Sequence, residues 1–305
     1  EVPLMFHQQN LDNIIMTYLQ MWTGSPKLQP WIDLIEKYKN PQDEVDIAFI
    51  GKYVAHLDSY ESLKEALLHG GIANRLKVKL HYIDSEFLTP ENAFEQLEKM
   101  DGVLVAPGFG ERGMEGKITA IQIARTGNIP FFGICLGMQM AIVEFARNVV
   151  GIAGANSGES RPDHAENVID LMPEQEGHLE TGGTMRLGSQ VTVLKKGSRI
   201  AKMYNKTTIS ERHRHRYEFN PRYRGRFDGT DFICSGESPD GRLVEFIELD
   251  NHPFWVGTQA HPEFKSRPDR PAPLFVAFIK AALNRREGRN PQLINLDQLK
   301  HERTG

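Results

Sequence analysis

From residue 45 onward the chain alternates short apolar runs with stretches whose apolar residues recur three and four apart. Runs at 45–50, 77–83, 102–106 and 130–134 have the length of strands, and the stretches 58–70, 90–99, 115–125 and 136–149 have the helical interval. Such alternation predicts an α/β fold with a mostly parallel central sheet covered by helices on both faces. Beyond residue 150 the pattern changes. A polar segment, 151–180, reads as loop with a short element near 168–172, and 185–194, 207–219, 232–236, 243–249 and 255–260 read as extra antiparallel strands. Leu274, Phe275, Phe278, Ile279 and Leu283 then form one helical stripe suited to core packing.

Residues 1–43 differ in character from the rest of the chain. Leu11, Ile14, Ile15, Tyr18, Leu19 and Trp22 mark one amphipathic helix, and Trp31, Leu34, Ile35 and Tyr38 mark another after the Gly24-Ser25-Pro26 break. Two short helices cannot enclose a core, so this segment is expected to link two domains or to pack on a neighbour. The expected division is therefore linker helices over 1–43, one α/β domain over 44–285 and a polar tail over 286–305.

Composition narrows the class. At 305 residues with 40% hydrophobic and 25% charged residues the chain is an ordinary globular one, and its net charge of −4 argues against nucleic acid as a partner. The uncharged stretch 126–143 is broken by Gly127, Asn128, Pro130, Gly133 and Gly137, so a strand followed by a helix explains it better than a membrane span. With only 2 cysteines, Cys135 and Cys234, no disulfide framework is expected, and a reducing cytoplasm suits a working thiol. The start at Glu1, without a basic-then-apolar leader, reads as part of something longer.

The chemistry concentrates at Gly133-Ile134-Cys135-Leu136-Gly137, where a strand is expected to turn into a helix. Gly-x-Cys-x-Gly is the thiol form of the nucleophile elbow, in which a sharp turn lifts the nucleophile above the sheet. At a helix N-terminus the positive end of the dipole favours a thiolate, and the Leu136 N–H is a natural oxyanion donor. A cysteine nucleophile needs a base. His261-Pro262-Glu263 follows the apolar strand 255–260, and in an extended segment His261 and Glu263 point the same way, the imidazole as base and the carboxylate as its orienter. The turn Ala106-Pro107-Gly108-Phe109-Gly110 leaves another strand C-terminus, so Gly108 is expected across the same rim as a second oxyanion donor.

Other patterns weigh less. Gly110–Gly116 followed by Lys117 fails the phosphate-loop spacing, because five residues separate the outer glycines and Ile118 stands where Ser or Thr is required. Neither cysteine has a partner at zinc-ligand spacing, so no metal site is expected. In Glu211-Arg212-His213-Arg214-His215-Arg216-Tyr217, alternation puts arginines on one face and His213, His215 and Tyr217 on the other, and so charged a strand is expected to face water.

Taken together, these residues resemble class I (triad) glutamine amidotransferases and, more narrowly, the C-terminal glutaminase domains of the CTP synthase family. The narrower likeness rests on Gly51-Lys52-Tyr53, on 102–116, on Ala155-Asn156-Ser157-x-Glu159, on Gly182-Gly183-Thr184-Met185-Arg186-Leu187-Gly188, and on 211–217. It implies a flavodoxin-like core, with Cys135 as nucleophile, His261 as base and Glu263 as orienting acid. It also implies glutamine binding by Gly108, Leu136, Gly137, Met138, Gln139, Glu159 and Arg216, and a link between Arg112 and GTP activation. By the same resemblance, a γ-glutamyl thioester forms and ammonia passes to an N-terminal synthetase domain of the same polypeptide. That domain aminates UTP to CTP with ATP and Mg²⁺ in a cytoplasmic homotetramer of pyrimidine biosynthesis, while the glutaminase domain needs no cofactor of its own. Two alternatives stay open: a related γ-glutamyl hydrolase, and a catalytically silent regulatory or assembly module.

Overall fold

The apolar runs pair as their alternation requires. The computed structural model describes residues 1–22, 24–52, 57–171 and 185–288. In chain order the strands are β1 (Asp43–Gly51), β2 (Leu76–Asp84), β3 (Gly102–Val105), β4 (Phe131–Ile134), β5 (Asn156–Ser157) and β6 (Asn167–Asp170), then β7 (Arg186–Leu194), β8 (Thr208–His215), β9 (Glu218–Phe219), β10 (Phe232–Glu237), β11 (Val244–Leu249) and β12 (Trp255–Thr258). Nine of them form one sheet in the order β2-β1-β3-β4-β12-β11-β10-β7-β8. The first five in that order are parallel, and from β12 outward every pairing is antiparallel. A second sheet, β5-β6-β9, is small and stands apart.

The helices are α1 (Val2–Gln8), α2 (Leu11–Tyr18), α3 (Gln29–Lys39), α4 (Glu61–Ala73), α5 (Ala93–Leu97), α6 (Met114–Thr126), α7 (Leu136–Phe145), α8 (Arg199–Tyr204), α9 (Pro221–Arg224) and α10 (Pro273–Arg286). They build a separate core on each face of the large sheet. Because successive strand residues point to opposite faces, Phe131 joins the core under α6 and α7, and its neighbour Phe132 joins the one under α4 and α10. Phe132 packs there against Phe275 and Phe278, with ring centroids 5.2 and 5.8 Å away.

Several expectations need correction. The segment 207–219 is not one strand, because β8 ends at His215 and β9 begins at Glu218 in the other sheet. The helix expected over 136–149 gives way after Phe145 to a π turn at Ala146–Val150, which leaves Val149 exposed. The helix expected over 90–99 is confined to α5. Helices α1, α8 and α9 have no counterpart in the expected pattern; α8 spans 6 residues, too few for a period to show, and is started by Ser198, whose Oγ accepts the Ala201 N–H at 3.1 Å. Helices α1 to α3 bury none of their residues. Residues 289–305 of the expected polar tail lie outside the described residues. Among those described, no helix is long and apolar enough to cross a membrane.

Candidate active site

Cys135 stands between β4 and α7 with φ 53° and ψ −105°, so the strain of the elbow is carried by the cysteine itself. The flanking glycines serve close approach. A Cβ on Gly137 would stand 2.3 Å from the Val105 carbonyl oxygen, and one on Gly133 would stand 2.8 Å from the Gly137 backbone. The elbow therefore nests directly on β3. The Cys135 N–H donates to the Thr258 carbonyl of β12 at 2.7 Å, which fixes the cysteine beside the strand that leads to His261.

His261 follows β12, and its Nδ1 lies 2.7 Å from Glu263 Oε1, with both side chains buried. The contact is not made across an extended segment, as the sequence suggested. Pro262–Lys265 is a 3₁₀ turn, and it returns the Glu263 carboxylate toward the ring. Burial works against the imidazolium, but hydrogen bonding and charge from Cys135 and Glu263 outweigh it and push the His261 pKa up to about 10. With Nδ1 engaged by Glu263, Nε2 has no hydrogen bond of standard geometry, and Cys135 is the partner left to it. The ring is thus oriented with Nε2 toward the thiol.

Strand β8 runs across this pair. The Arg212 carbonyl accepts the His261 N–H at 2.8 Å, and the Arg214 carbonyl oxygen lies 3.9 Å from Cys135 Sγ. Its alternation is as expected, but only one face meets water: Arg212 and Arg214 are exposed, whereas His213 and His215 are buried. Charged residues of three other strands lie beside the buried pair. Arg186 bridges Glu218 and Glu245 at 3.0 and 2.9 Å, His215 Nε2 lies 2.8 Å from Glu218 Oε1, and His213 Nδ1 lies 3.6 Å from Glu245 Oε2.

A cavity of about 250 Å³ opens at the thiol, lined by Gly108, Phe109, Gln139, Glu159 and Arg216 among others. The small sheet brings its two charges together. Glu159 follows β5, Arg216 lies between β8 and β9, and β6 pairs with both β5 and β9. Glu159 Oε1 accepts the Gly110 N–H at 2.6 Å. Burial raises its pKa, against the pull of that N–H and of Lys52, Lys117 and Arg216. Arg216 Nε is buried without a hydrogen-bond partner, an unmet donor beside the cavity. Gln139 lines the wall and donates to the Tyr217 carbonyl at 2.9 Å. Leu136, Gly137 and Met138 do not line it, and the Met138 side chain is fully buried in the core, so any contact from these three comes from backbone. Arg112 also lies away from the cavity, pairing with Glu86 at 3.4 Å and donating to the Lys52 carbonyl at 3.2 Å. Tyr53 and Gly182, Gly183 and Thr184 of the motifs lie outside the described residues.

Three side chains join the site to which the sequence assigned no role there. Gln259 Nε2 points to Cys135 Sγ at 3.6 Å, while its Oε1 accepts from Gln139 at 3.2 Å. Its signal was its place two residues before His261. Lys52 Nζ holds the Phe109 and Gly110 carbonyls, and Lys117 Nζ donates to the Ala106 carbonyl at 3.0 Å. Lys117 could have been noticed as a lysine on the apolar stripe of Met114, Ile118 and Ile121.

A strained cysteine on a strand-to-helix elbow, an imidazole oriented by a carboxylate and a small doubly charged cavity define a class of amide-cleaving enzymes. A family model described as "Glutamine amidotransferase class-I" matches residues 55–281, and the chain belongs to that family. Within it the likeness is to CTP synthases. The glutaminase domain of the Trypanosoma brucei CTPS, solved with bound acivicin, is 38% identical and superposes with a TM-score of 0.75 over 79% of this chain and 94% of that one. CTP synthases of Syntrophus aciditrophicus and Carboxydothermus hydrogenoformans are 51% and 52% identical over 95% and 93% of this chain. The chain spans about half the length of these two relatives, 54% and 53%.

Proposed function

We propose that this chain is the glutamine-hydrolysing part of a CTP synthase, with Cys135, His261 and Glu263 as its catalytic triad. The observation that supports this most is a strained cysteine that shares one cavity with the opposed charges of Glu159 and Arg216 and has the buried His261–Glu263 pair as its neighbour. Arg216 takes the α-carboxylate of glutamine and Glu159 its α-ammonium, which leaves the side-chain amide over Cys135 Sγ. His261 Nε2 accepts the thiol proton as sulfur bonds to the amide carbon, and the carbonyl π pair moves onto oxygen, held by the N–H groups of Gly108 and Leu136. As the C–N bond breaks, nitrogen takes the proton from His261 and leaves as ammonia. Water then gives a proton to His261 and attacks the γ-glutamyl thioester; the C–S bond breaks, and sulfur recovers the proton. The sum is glutamine plus water to glutamate plus ammonia.

The ammonia passes to a synthetase domain that aminates UTP to CTP with ATP and Mg²⁺, in a GTP-activated tetramer. The relatives' greater length supports a further domain of this kind. The test is Cys135→Ala in the intact enzyme. Glutamine hydrolysis is expected to vanish while CTP formation from added ammonia persists. Equal loss of both would refute the division of labour.

A further inference from the structure

Lys117 is fully buried on α6, where a hydrocarbon would pack without desolvating a charge. Its ammonium has three donors, and the Ala106 carbonyl is the acceptor it meets, at 3.0 Å. A Cβ on Gly108 would stand 3.7 Å from Nζ, so the amine lies directly under the loop opposite Cys135. The titratable groups around it come from four elements: Lys52 after β1, Asp84 at the end of β2, Cys135 at the start of α7 and Glu159 after β5. Burial and Lys52 lower its pKa to about 7, against the pull of Cys135, Glu159 and Asp84.

The loop's carbonyls explain what the amine does there. Lys117 holds that of Ala106, and Lys52 holds those of Phe109 and Gly110. On the far side Glu159 takes the Gly110 N–H. The two peptides between these anchors, which carry the N–H groups of Gly108 and Phe109, are the ones whose carbonyls neither lysine holds. Their donors stay available to the cavity that both residues line.

We propose that Lys117 is a positioning residue for glutamine hydrolysis, its buried amine fixing the Ala106–Gly110 turn from beneath and, in its ammonium form, setting a positive charge under the atoms where the tetrahedral intermediate gains its negative one. The inference rests on the reading of this site as a glutaminase. It separates Lys117 from Glu159 and Arg216, which bind ground-state glutamine, because a charge that counts mainly as the oxyanion forms acts on kcat.

In the intact enzyme, Lys117→Met is expected to lower kcat for glutamine hydrolysis about a hundredfold, the effect of losing an oxyanion donor. The glutamine KM should stay within about threefold, as should the rate at which iodoacetamide alkylates Cys135, a displacement that forms no oxyanion. Lys117→Gln keeps a donor for Ala106 without the charge, and it carries the test if the Met variant does not fold; a kcat loss of about tenfold or more at unchanged alkylation rate is expected. The inference is overturned if either folded variant keeps kcat within about threefold of the parent, or if kcat and alkylation fall together, since the lysine would then only support the fold. Failure of the parent enzyme itself to hydrolyse glutamine would refute the glutaminase reading instead.

Discussion

Arg216 shows how a single residue can combine chemistry with exposure to a cavity. Its neighbours on the chain have settled places, Arg214 outward and His215 inward, whereas Arg216 falls where β8 ends and β9 has not begun. Freed from the alternation, its guanidinium keeps a buried Nε without a partner. If that donor meets the substrate carboxylate, Arg216→Ala should raise the glutamine KM by about 1.5–3 kcal/mol, roughly ten- to a hundredfold, with a smaller change in kcat. Steady-state kinetics at saturating nucleotide would check it, and an unchanged KM would leave Arg216 a structural residue. The residue scale is also where the sequence was most legible. Cys135, His261 and Glu263 are tied to recognisable local patterns, and each follows the C-terminal end of a sheet strand, β4 or β12. The roles of Lys52, Lys117 and Gln259 were not legible, although Lys117 and Gln259 left a faint local signal, because those roles arise from contacts across elements distant in the chain.

Among the elements, β8 is the one on which sequence and structure part. Its composition favours a strand in water, and its backbone does lie across Cys135 and His261; yet His215 meets the buried Glu218, and His213 is enclosed as a neutral ring beside Arg186 and Glu245. No local pattern reveals such partners, since they come from β7, β9 and β11. The arrangement has a consequence for acid stability. His213 packs against His215, with ring centroids 5.2 Å apart, and faces Glu245, Arg186 and His261. Burial, with the positive charge of His215, Arg186 and His261, lowers its pKa to about 2. An unfolded histidine titrates near 6.5, so below that pH the unfolded chain binds a proton that the native one refuses. Stability present above pH 6.5 is therefore lost as pH falls, by up to about 1.4 kcal/mol per pH unit from this group. His213→Gln should flatten the dependence of Tm on pH between 6.5 and 5. Parallel curves for parent and variant would assign the acid sensitivity to another group.

At the scale of the whole molecule, Arg112 connects the site to its outer surface. It donates to the Lys52 carbonyl and pairs with Glu86, while the Lys52 ammonium grips the Phe109 and Gly110 carbonyls. A signal that repositions Arg112 thus has a short physical route to the oxyanion turn. In the intact enzyme Arg112→Ala is expected to lower GTP-stimulated glutamine hydrolysis while sparing ammonia-dependent synthesis. The bound is the effect of one oxyanion donor, about a hundredfold. Assays with and without GTP decide it, because full stimulation in the variant would move the sensor elsewhere.

The late helix α10 covers the sheet face begun by β1 and rests on α4; a Cβ on Gly70 would stand 2.8 Å from the Phe275 carbonyl. On the ribosome, the early strands therefore emerge long before their cover, and Cys135 emerges before His261. Until the last turns of α10 leave the exit tunnel, Phe132 and its neighbours remain exposed to chaperones. The thiol is without His261 through most of that interval. If the two act as proposed, a half-made chain is chemically mute until His261 has emerged.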